Sequence, residues 1–208
     1  MFAPGAGRFV GPPAGVAVVL LGLVVLRVVP ASAYLLGLFA VALGVALFFA
    51  VFFRDPDRTP GGGVVSAADG RVRAVEREGE RWRVSVFMNA SNVHVNRFPV
   101  TGRVDAIVVS GAGHRPAYRD DARHNLQQCF QLSTALGPVE VVQMTGIFAR
   151  RLVSLVDVGA ERQKGERLGM IVLGSRVDVL LPAARAAPTV RVGEVVHAGS
   201  STIARESS

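Results

Sequence analysis

Three short stretches hold the residues best suited to chemistry. The first is Ser66-Ala67-Ala68-Asp69-Gly70, an acid followed by glycine after a short apolar run. The second is Asn92-Val93-His94-Val95-Asn96-Arg97-Phe98-Pro99, where a histidine alternates with valines between amides. The third is Gly169-Met170-Ile171-Val172-Leu173-Gly174-Ser175-Arg176-Val177-Asp178-Val179, an apolar strand interrupted by a Gly-Ser pair. Singly, each has an ordinary structural explanation: a turn, a satisfied core histidine, a β-bulge. Together they supply an acid, a base and a hydroxyl, the set from which an activated nucleophile is built. A serine hydrolase would use the same three groups. However, the Gly-x-Ser-x-Gly elbow is missing, because Ser175 is followed by Arg176 and Val177.

The remaining reactive side chains offer less. His94, His114, His124 and His197 stand in no metal-ligand spacing, so no metal is expected. Cys129 is the single cysteine, which rules out a disulfide within the chain. Its neighbours Gln127, Gln128 and Phe130 provide no activating base, so it reads as a buried small hydrophobe. Lys164 is the only lysine and sits in the polar turn Gln163-Lys164-Gly165-Glu166. A pyridoxal phosphate enzyme would have to hold its cofactor there.

The elements that must position these residues are mostly strands. After Phe53, short β-branched runs alternate with Gly, Pro and Asp. They predict strands over residues 70–75, 83–88, 103–109, 139–144, 152–157, 170–173, 177–181 and 189–192. Period-two alternation is plain in Arg81-Trp82-Arg83-Val84-Ser85-Val86. A short helical turn is expected around Phe148-Ala149-Arg150-Arg151, and residues 205–208 are expected to fray. The fold class is therefore mainly β, a barrel or two packed sheets, over residues 54–208.

The first 53 residues differ. Half of the chain is hydrophobic and 19% charged, and the apolar residues concentrate in two runs, 15–26 and 31–53, separated by Pro30. The second run has no charge and is long enough to cross a bilayer. The pattern predicts a membrane-anchoring α-helical hairpin over residues 1–53. A signal peptide is the open alternative, with Arg8 as its charged end and Ala31-Ser32-Ala33 as its cleavage site. In that case the second run would still anchor the chain. Arg54, Arg58, Arg71 and Arg73 follow the apolar segment, which places the domain on the cytoplasmic side of the cell membrane. The net charge of +7 suits an anionic lipid surface. Aromatic and basic residues are not interleaved, so a nucleic-acid partner is not expected.

Several separated motifs stand in one order along the chain. They are Phe52-Phe53-Arg54-Asp55-Pro56, Val65-Ser66-Ala67-Ala68-Asp69-Gly70, Phe87-Met88 and Asn92-Val93-His94-Val95-Asn96-Arg97 with Pro99. Further on come Gln143, Gly146, Ala149-Arg150-Arg151, Gly165, Gly169-Met170-Ile171, Leu173-Gly174-Ser175-Arg176-Val177-Asp178-Val179 and Leu181-Pro182. In these the sequence resembles the phosphatidylserine decarboxylase family over almost its whole length, in the short form that includes archaetidylserine decarboxylases.

The resemblance implies a proenzyme that cuts itself between Gly174 and Ser175 into a β chain, 1–174, and an α chain, 175–208. Ser175 would become a pyruvoyl group, the covalent pyruvate cofactor, and form a Schiff base with the serine amine of an anionic aminophospholipid. Phosphatidylserine would lose carbon dioxide and become phosphatidylethanolamine, a step of phospholipid biosynthesis. Asp69 would orient His94, and His94 would deprotonate Ser175 and later donate a proton. Arg97, Arg150 and Arg151 are the candidate contacts to lipid phosphate. The αβ unit would assemble as a homo-oligomer. Where longer members carry a second histidine this chain has Arg97, and where relatives carry Asn-Glu-Arg it reads Ala122-Arg123-His124-Asn125, so no catalytic work is assigned there. The alternatives are decarboxylation of an ether-linked archaetidylserine and a non-cleaving, membrane-tethered relative that only binds lipid.

Overall fold

The computed structural model describes residues 1–26, 32–113, 124–146, 151–172 and 175–207, the side chain of Ser175 excepted. The chain divides into two compact units, Met1–Pro56 and Asp57–Ser208.

The first unit is a pair of apolar helices, α1 (Gly7–Val25) and α2 (Ala33–Phe52), of 19 and 20 residues. At 1.5 Å per residue each is about 30 Å long, the thickness of a hydrocarbon core. Both are long and apolar enough to cross a membrane. The Ser32 hydroxyl starts α2 by accepting the Leu35 N–H at 3.3 Å. The helices meet through aromatic rings, with Phe9 4.8 Å from Phe53 and 5.8 Å from Phe49 between centroids. Two backbone bonds close the base of the pair. Ala3 N–H donates to Phe53 O and Asp55 N–H donates to Met1 O, both at 2.8 Å. The N-terminus and the exit from α2 therefore lie side by side. The link expected to turn at Pro30 lies outside the described residues.

The second unit is β-rich, as its sequence texture predicts. An eight-stranded sheet runs in the order β13 (Val195–Val196), β2 (Gly70–Glu78), β3 (Arg81–Met88), β11 (Ser175–Pro182), β7 (Gly137–Thr145), β6 (Gln127–Thr134), β5 (Gly102–Ser110), β9 (Glu161–Arg162). A three-stranded sheet is ordered β1 (Val64–Val65), β14 (Thr202–Glu206), β12 (Ala186–Pro188). Another is ordered β4 (Val95–Arg97), β10 (Arg167–Val172), β8 (Arg151–Ser154). Among the described residues β13 and β9 do not pair, so the large sheet stays open and the architecture is packed sheets rather than a closed barrel. One core joins them. Val72, Val84, Val86, Phe130, Leu132, Val141, Val177 and Val179 come from the large sheet, Val64 and Ile203 from one small sheet, and Leu168 and Ile171 from the other.

Several elements differ from the sequence-based expectation. β6 was not foreseen, because its inward row begins with the polar Gln128 and hides the period-two pattern of Phe130 and Leu132. Residues 189–192 form no strand, since the chain turns back through the Glu194 N–H to Arg191 O bond at 3.1 Å. β8 stops at Ser154, whose hydroxyl bonds Val156 O at 2.5 Å and accepts the Val156 N–H at 3.3 Å. Arg205 and Glu206 do not fray, because β14 is held between β1 and β12. The turn expected around Phe148 falls mainly outside the described residues, and Arg151 is in β8.

Candidate active site

The Gly174–Ser175 junction is bracketed by two strand pairings. On its downstream side, Ser175 opens β11 with Met88 of β3 opposite it on one flank and Thr145 of β7 on the other. On its upstream side, Met170 pairs with Val95, and the Ile171 N–H donates to the carbonyl of His94 at 3.3 Å. Residues 89–93 connect Met88 to His94. This short loop therefore ties the strand beside Ser175 to the strand beside Ile171. Gly174 itself lies outside the described residues.

The loop is ordered by its own amides. Asn92 Oδ1 accepts the Asn89 N–H at 2.9 Å, and Asn89 Oδ1 accepts the Ser91 hydroxyl at 2.6 Å. The same loop fixes the histidine. His94 is buried, and its Nδ1 lies 2.9 Å from the Asn92 carbonyl oxygen. A carbonyl can only accept, so Nδ1 carries a proton, and whenever the ring is neutral its lone pair is on Nε2. That neutral tautomer is the one a general base acting through Nε2 requires.

Behind His94 runs a buried amide ladder. Gln128 Nε2 donates to Gln143 Oε1 at 3.3 Å, and Gln143 Nε2 donates to Asn96 Oδ1 at 2.7 Å. Asn96 Nδ2 in turn approaches Met88 Sδ at 3.7 Å. The ladder links β6 and β7 of the large sheet to β4, two residues from His94. Gly169 makes room for it, since a Cβ there would lie 2.8 Å from both Gln143 Nε2 and the Val153 carbonyl oxygen. On the other flank, buried Asn125 donates to the carbonyl of Thr145 at 2.7 Å, bracing the residue paired with Ser175. The sequence signalled no work for Asn125, because the motif expected there is altered.

Asp69 is engaged elsewhere than expected. Its carboxylate takes both Nη atoms of Arg58 and the Ala198 N–H, the latter at 2.8 Å, and His197 Nδ1 stands 3.6 Å away. Arg58 also donates to the Ala198 carbonyl at 3.0 Å, so the ion pair grips Ala198 by both backbone groups. Burial alone would raise the Asp69 carboxyl. The hydrogen bonds from Arg58 and Ala198, with the charges of Arg58 and His197, outweigh it and hold the group below the usual carboxylate range. Among the described contacts, His94 is thus oriented by Asn92, whereas Asp69 binds Arg58, Ala198 and His197. Neither Arg58 nor His197 stood out in the sequence as an acid's partner. Gly70 follows Asp69 because a Cβ there would meet the Phe87 carbonyl oxygen at 2.0 Å, at a φ of +148°.

The two described candidates for phosphate contact differ in exposure. Arg97 is buried and donates to the Gly165 carbonyl at 2.9 Å, which makes it part of the interior. Arg151 is exposed on β8, and Arg150 lies outside the described residues. Burial pushes the Cys129 thiol up to about 11, with Glu140 adding to the effect, so it is protonated and unreactive at neutral pH. Lys164 donates to the Gly63 carbonyl at 3.1 Å and holds a turn. Among the described residues, no three or more His, Cys, Asp or Glu side chains cluster as metal ligands would.

Residues 45–204 match the family model described as phosphatidylserine decarboxylase. The chain belongs to the phosphatidylserine decarboxylase family. Family members similar to it come from both prokaryotic domains. A Halobacterium salinarum protein, provisionally named an archaetidylserine decarboxylase proenzyme, is 46% identical over 169 residues, covering 79% of this chain and 84% of its own. Proteins named phosphatidylserine decarboxylase proenzyme are 43% identical in Thermobifida fusca, covering 79% of this chain and 76% of that one. In Nitratidesulfovibrio vulgaris the figure is 46%, with 75% of this chain and 76% of the relative covered. Family membership makes the chain a decarboxylase proenzyme of phospholipid metabolism, and its two apolar helices are compatible with membrane association.

Proposed function

We propose that the chain cuts itself between Gly174 and Ser175 and then decarboxylates the serine head group of a glycerophospholipid, converting phosphatidylserine to phosphatidylethanolamine and carbon dioxide. The observation that carries this reading is His94, held by Asn92 as the Nδ1-protonated tautomer at the loop joining the two strand pairings that flank the junction. Maturation begins when the Ser175 hydroxyl, giving its proton to His94, adds to the Gly174 carbonyl and the peptide nitrogen leaves as an amine. The resulting ester loses the Gly174 carboxylate by elimination. The dehydroalanine left at 175 takes up water and releases ammonia, so that residue 175 becomes a pyruvoyl group. That group supplies an electron sink for the carboxylate's departing electron pair. His94 stands ready, once protonated, to return a proton to the substrate's α-carbon. Fixed pairing of Ser175 on both flanks keeps the reacting residue in place.

Asp69 enters this scheme through position rather than through contact with His94. With Arg58 it holds Ala198, a residue of the future α chain, against the β chain. The arginines after the apolar helices support a cytoplasmic catalytic domain. Of the three candidate arginines, Arg151 is the described one that is exposed, where it can meet a lipid phosphate. The αβ unit is expected to form a homo-oligomer. A second substrate reading, the ether-linked archaetidylserine, is supported by the similarity to the Halobacterium salinarum protein.

Intact mass of the purified protein tests the scheme. Two chains are expected, the smaller carrying a keto acid in place of its N-terminal amine, while Ser175→Ala stays one chain. His94→Ala should slow cleavage by about a hundredfold or more, the usual contribution of a positioned base. An uncleaved wild-type chain would refute the proenzyme reading, and unchanged cleavage in the histidine variant would remove His94 from maturation. Turnover of ester-linked against ether-linked serine lipids in vesicles decides the substrate.

A further inference from the structure

Along β11 the side chains alternate. Val177, Val179 and Leu181 enter the core, so Arg176 and Asp178 share the opposite face. Yet Arg176 and Asp178 are as buried as core residues, 5% and 2% exposed. Arg176 grips Asp178 with two bonds, Nε to Oδ1 at 2.7 Å and Nη2 to Oδ2 at 2.6 Å. Its Nη2 also reaches Ser85 Oγ at 3.2 Å, across on β3. Ser85 stands directly opposite Asp178 and accepts a second bond from Arg83 Nη1 at 2.8 Å. Arg83 closes the cluster onto Asp178 at 3.4 Å and is tied to Glu78 and Glu76 of β2.

A fold seldom needs such a cluster for stability, because well-packed apolar side chains serve as well or better. Its position suggests another use. In the precursor, the peptide on each side holds residue 175. Once the bond is cut, residue 175 begins a chain, and chain ends fray first. Conversion to a keto group also removes the nitrogen of residue 175, and with it one backbone donor. Arg176 is then the first residue of the α chain that still has both an N–H and a side-chain anchor.

We infer that Arg176, with Asp178 and Ser85, is a clamp that holds the newly made first residue of the α chain in its strand register after cleavage. This rests on the self-cleavage proposed above. Arg176 is a positioning residue, and it should matter for the mature enzyme more than for the precursor. An error of 1 Å in the reacting carbonyl is enough to lower turnover about a hundredfold.

The test compares wild type with Arg176→Met and Ser85→Ala, in full-length protein. Self-cleavage in the variants should stay within about threefold of wild type, while kcat of the cleaved enzyme falls at least tenfold and KM changes little. Arg176→Lys keeps the charge without the two-pronged fork, and should restore turnover only in part. Hydrogen exchange gives a readout that does not depend on activity. Backbone amides 176–178 should exchange faster in cleaved Arg176→Met than in cleaved wild type, but equally in both when Ser175→Ala blocks cleavage. The clamp is refuted if cleavage and turnover fall together, if neither falls, or if exchange rises equally in the uncleaved background. A wild-type chain that never cleaves overturns the proenzyme reading and the clamp with it. Arg176→Met that cleaves normally but turns over normally overturns the clamp alone.

Discussion

At the scale of single residues, hydrogen-bond partners decide roles that residue type leaves open. His94 and Asp69 look alike in the sequence, an acid and a base in motifs of equal clarity. In the fold, His94 is committed to Asn92 and Asp69 to Arg58 and Ala198. That assignment has a pH consequence. The Asp69 carboxyl is held below its unfolded value of about 3.9, so its stabilising contribution is complete above that pH and is lost as pH falls through the lower folded value. Asp69→Asn should cost about 1.5–3 kcal/mol at pH 7, the range for hydrogen bonds to a charged group. Melting curves from pH 7 to pH 3 should show the variant and wild type converging at the acid end. A constant difference across that range would mean the carboxylate's charge is not what binds Ala198.

At the scale of elements, the site depends on how strands meet. β4 carries His94's neighbour Asn96 and belongs to a small sheet, while Gln143 belongs to the large one, and a hydrogen bond from the Gln143 amide to the Asn96 amide oxygen joins them. Gly169 on β10 permits that bond by having no side chain. Gly169→Ala puts a methyl against Gln143 and the Val153 carbonyl and should destabilise the domain by about 1–3 kcal/mol, as overpacking does. The variant should also mature more slowly, because Asn96 and His94 share β4 and its lead-in. A urea midpoint for the Ser175→Ala version and a cleavage time course for the active one measure the two effects. A normal midpoint would show that the ladder can move aside.

At the scale of the whole molecule, the segment proposed to become the α chain is interior to the fold. β11 pairs with β3 over eight residues and with β7 over six, and without it the large sheet splits in two. β13 edges the same sheet, and β12 and β14 supply most of one small sheet. Residues 175–208 therefore cannot leave without unfolding the domain. They also cannot return by an intramolecular search once the peptide is cut, since the loop-closure advantage of a single chain is gone. The uncleaved Ser175→Ala protein should refold from urea in lipid or detergent with a yield independent of concentration. The cleaved enzyme should refold poorly, and better at higher concentration. Equal recovery of both would mean the two chains find each other without the tether.

The sequence alone determined the class and the parts. Period-two β-branched runs, two long apolar runs and ordered motifs were enough for a β domain after a hairpin of apolar helices and for the family, and they singled out Ser175 and His94 as candidates, because these signals are local or linear. It missed β6 because buried Gln128 breaks the alternation that marks a strand, and it extended β8 past the turn made by Ser154. Partnership was not legible at all. Arg58 and Ala198 are 140 residues apart in the chain, and the Asn92 carbonyl that sets the tautomer of His94 has no side-chain signature. Only the tertiary structure could join Asp69 to Arg58, Gln143 to Asn96 and Arg176 to Ser85. Such contacts arise where strands distant in sequence are brought into register, and no local pattern encodes which polar groups will then face one another.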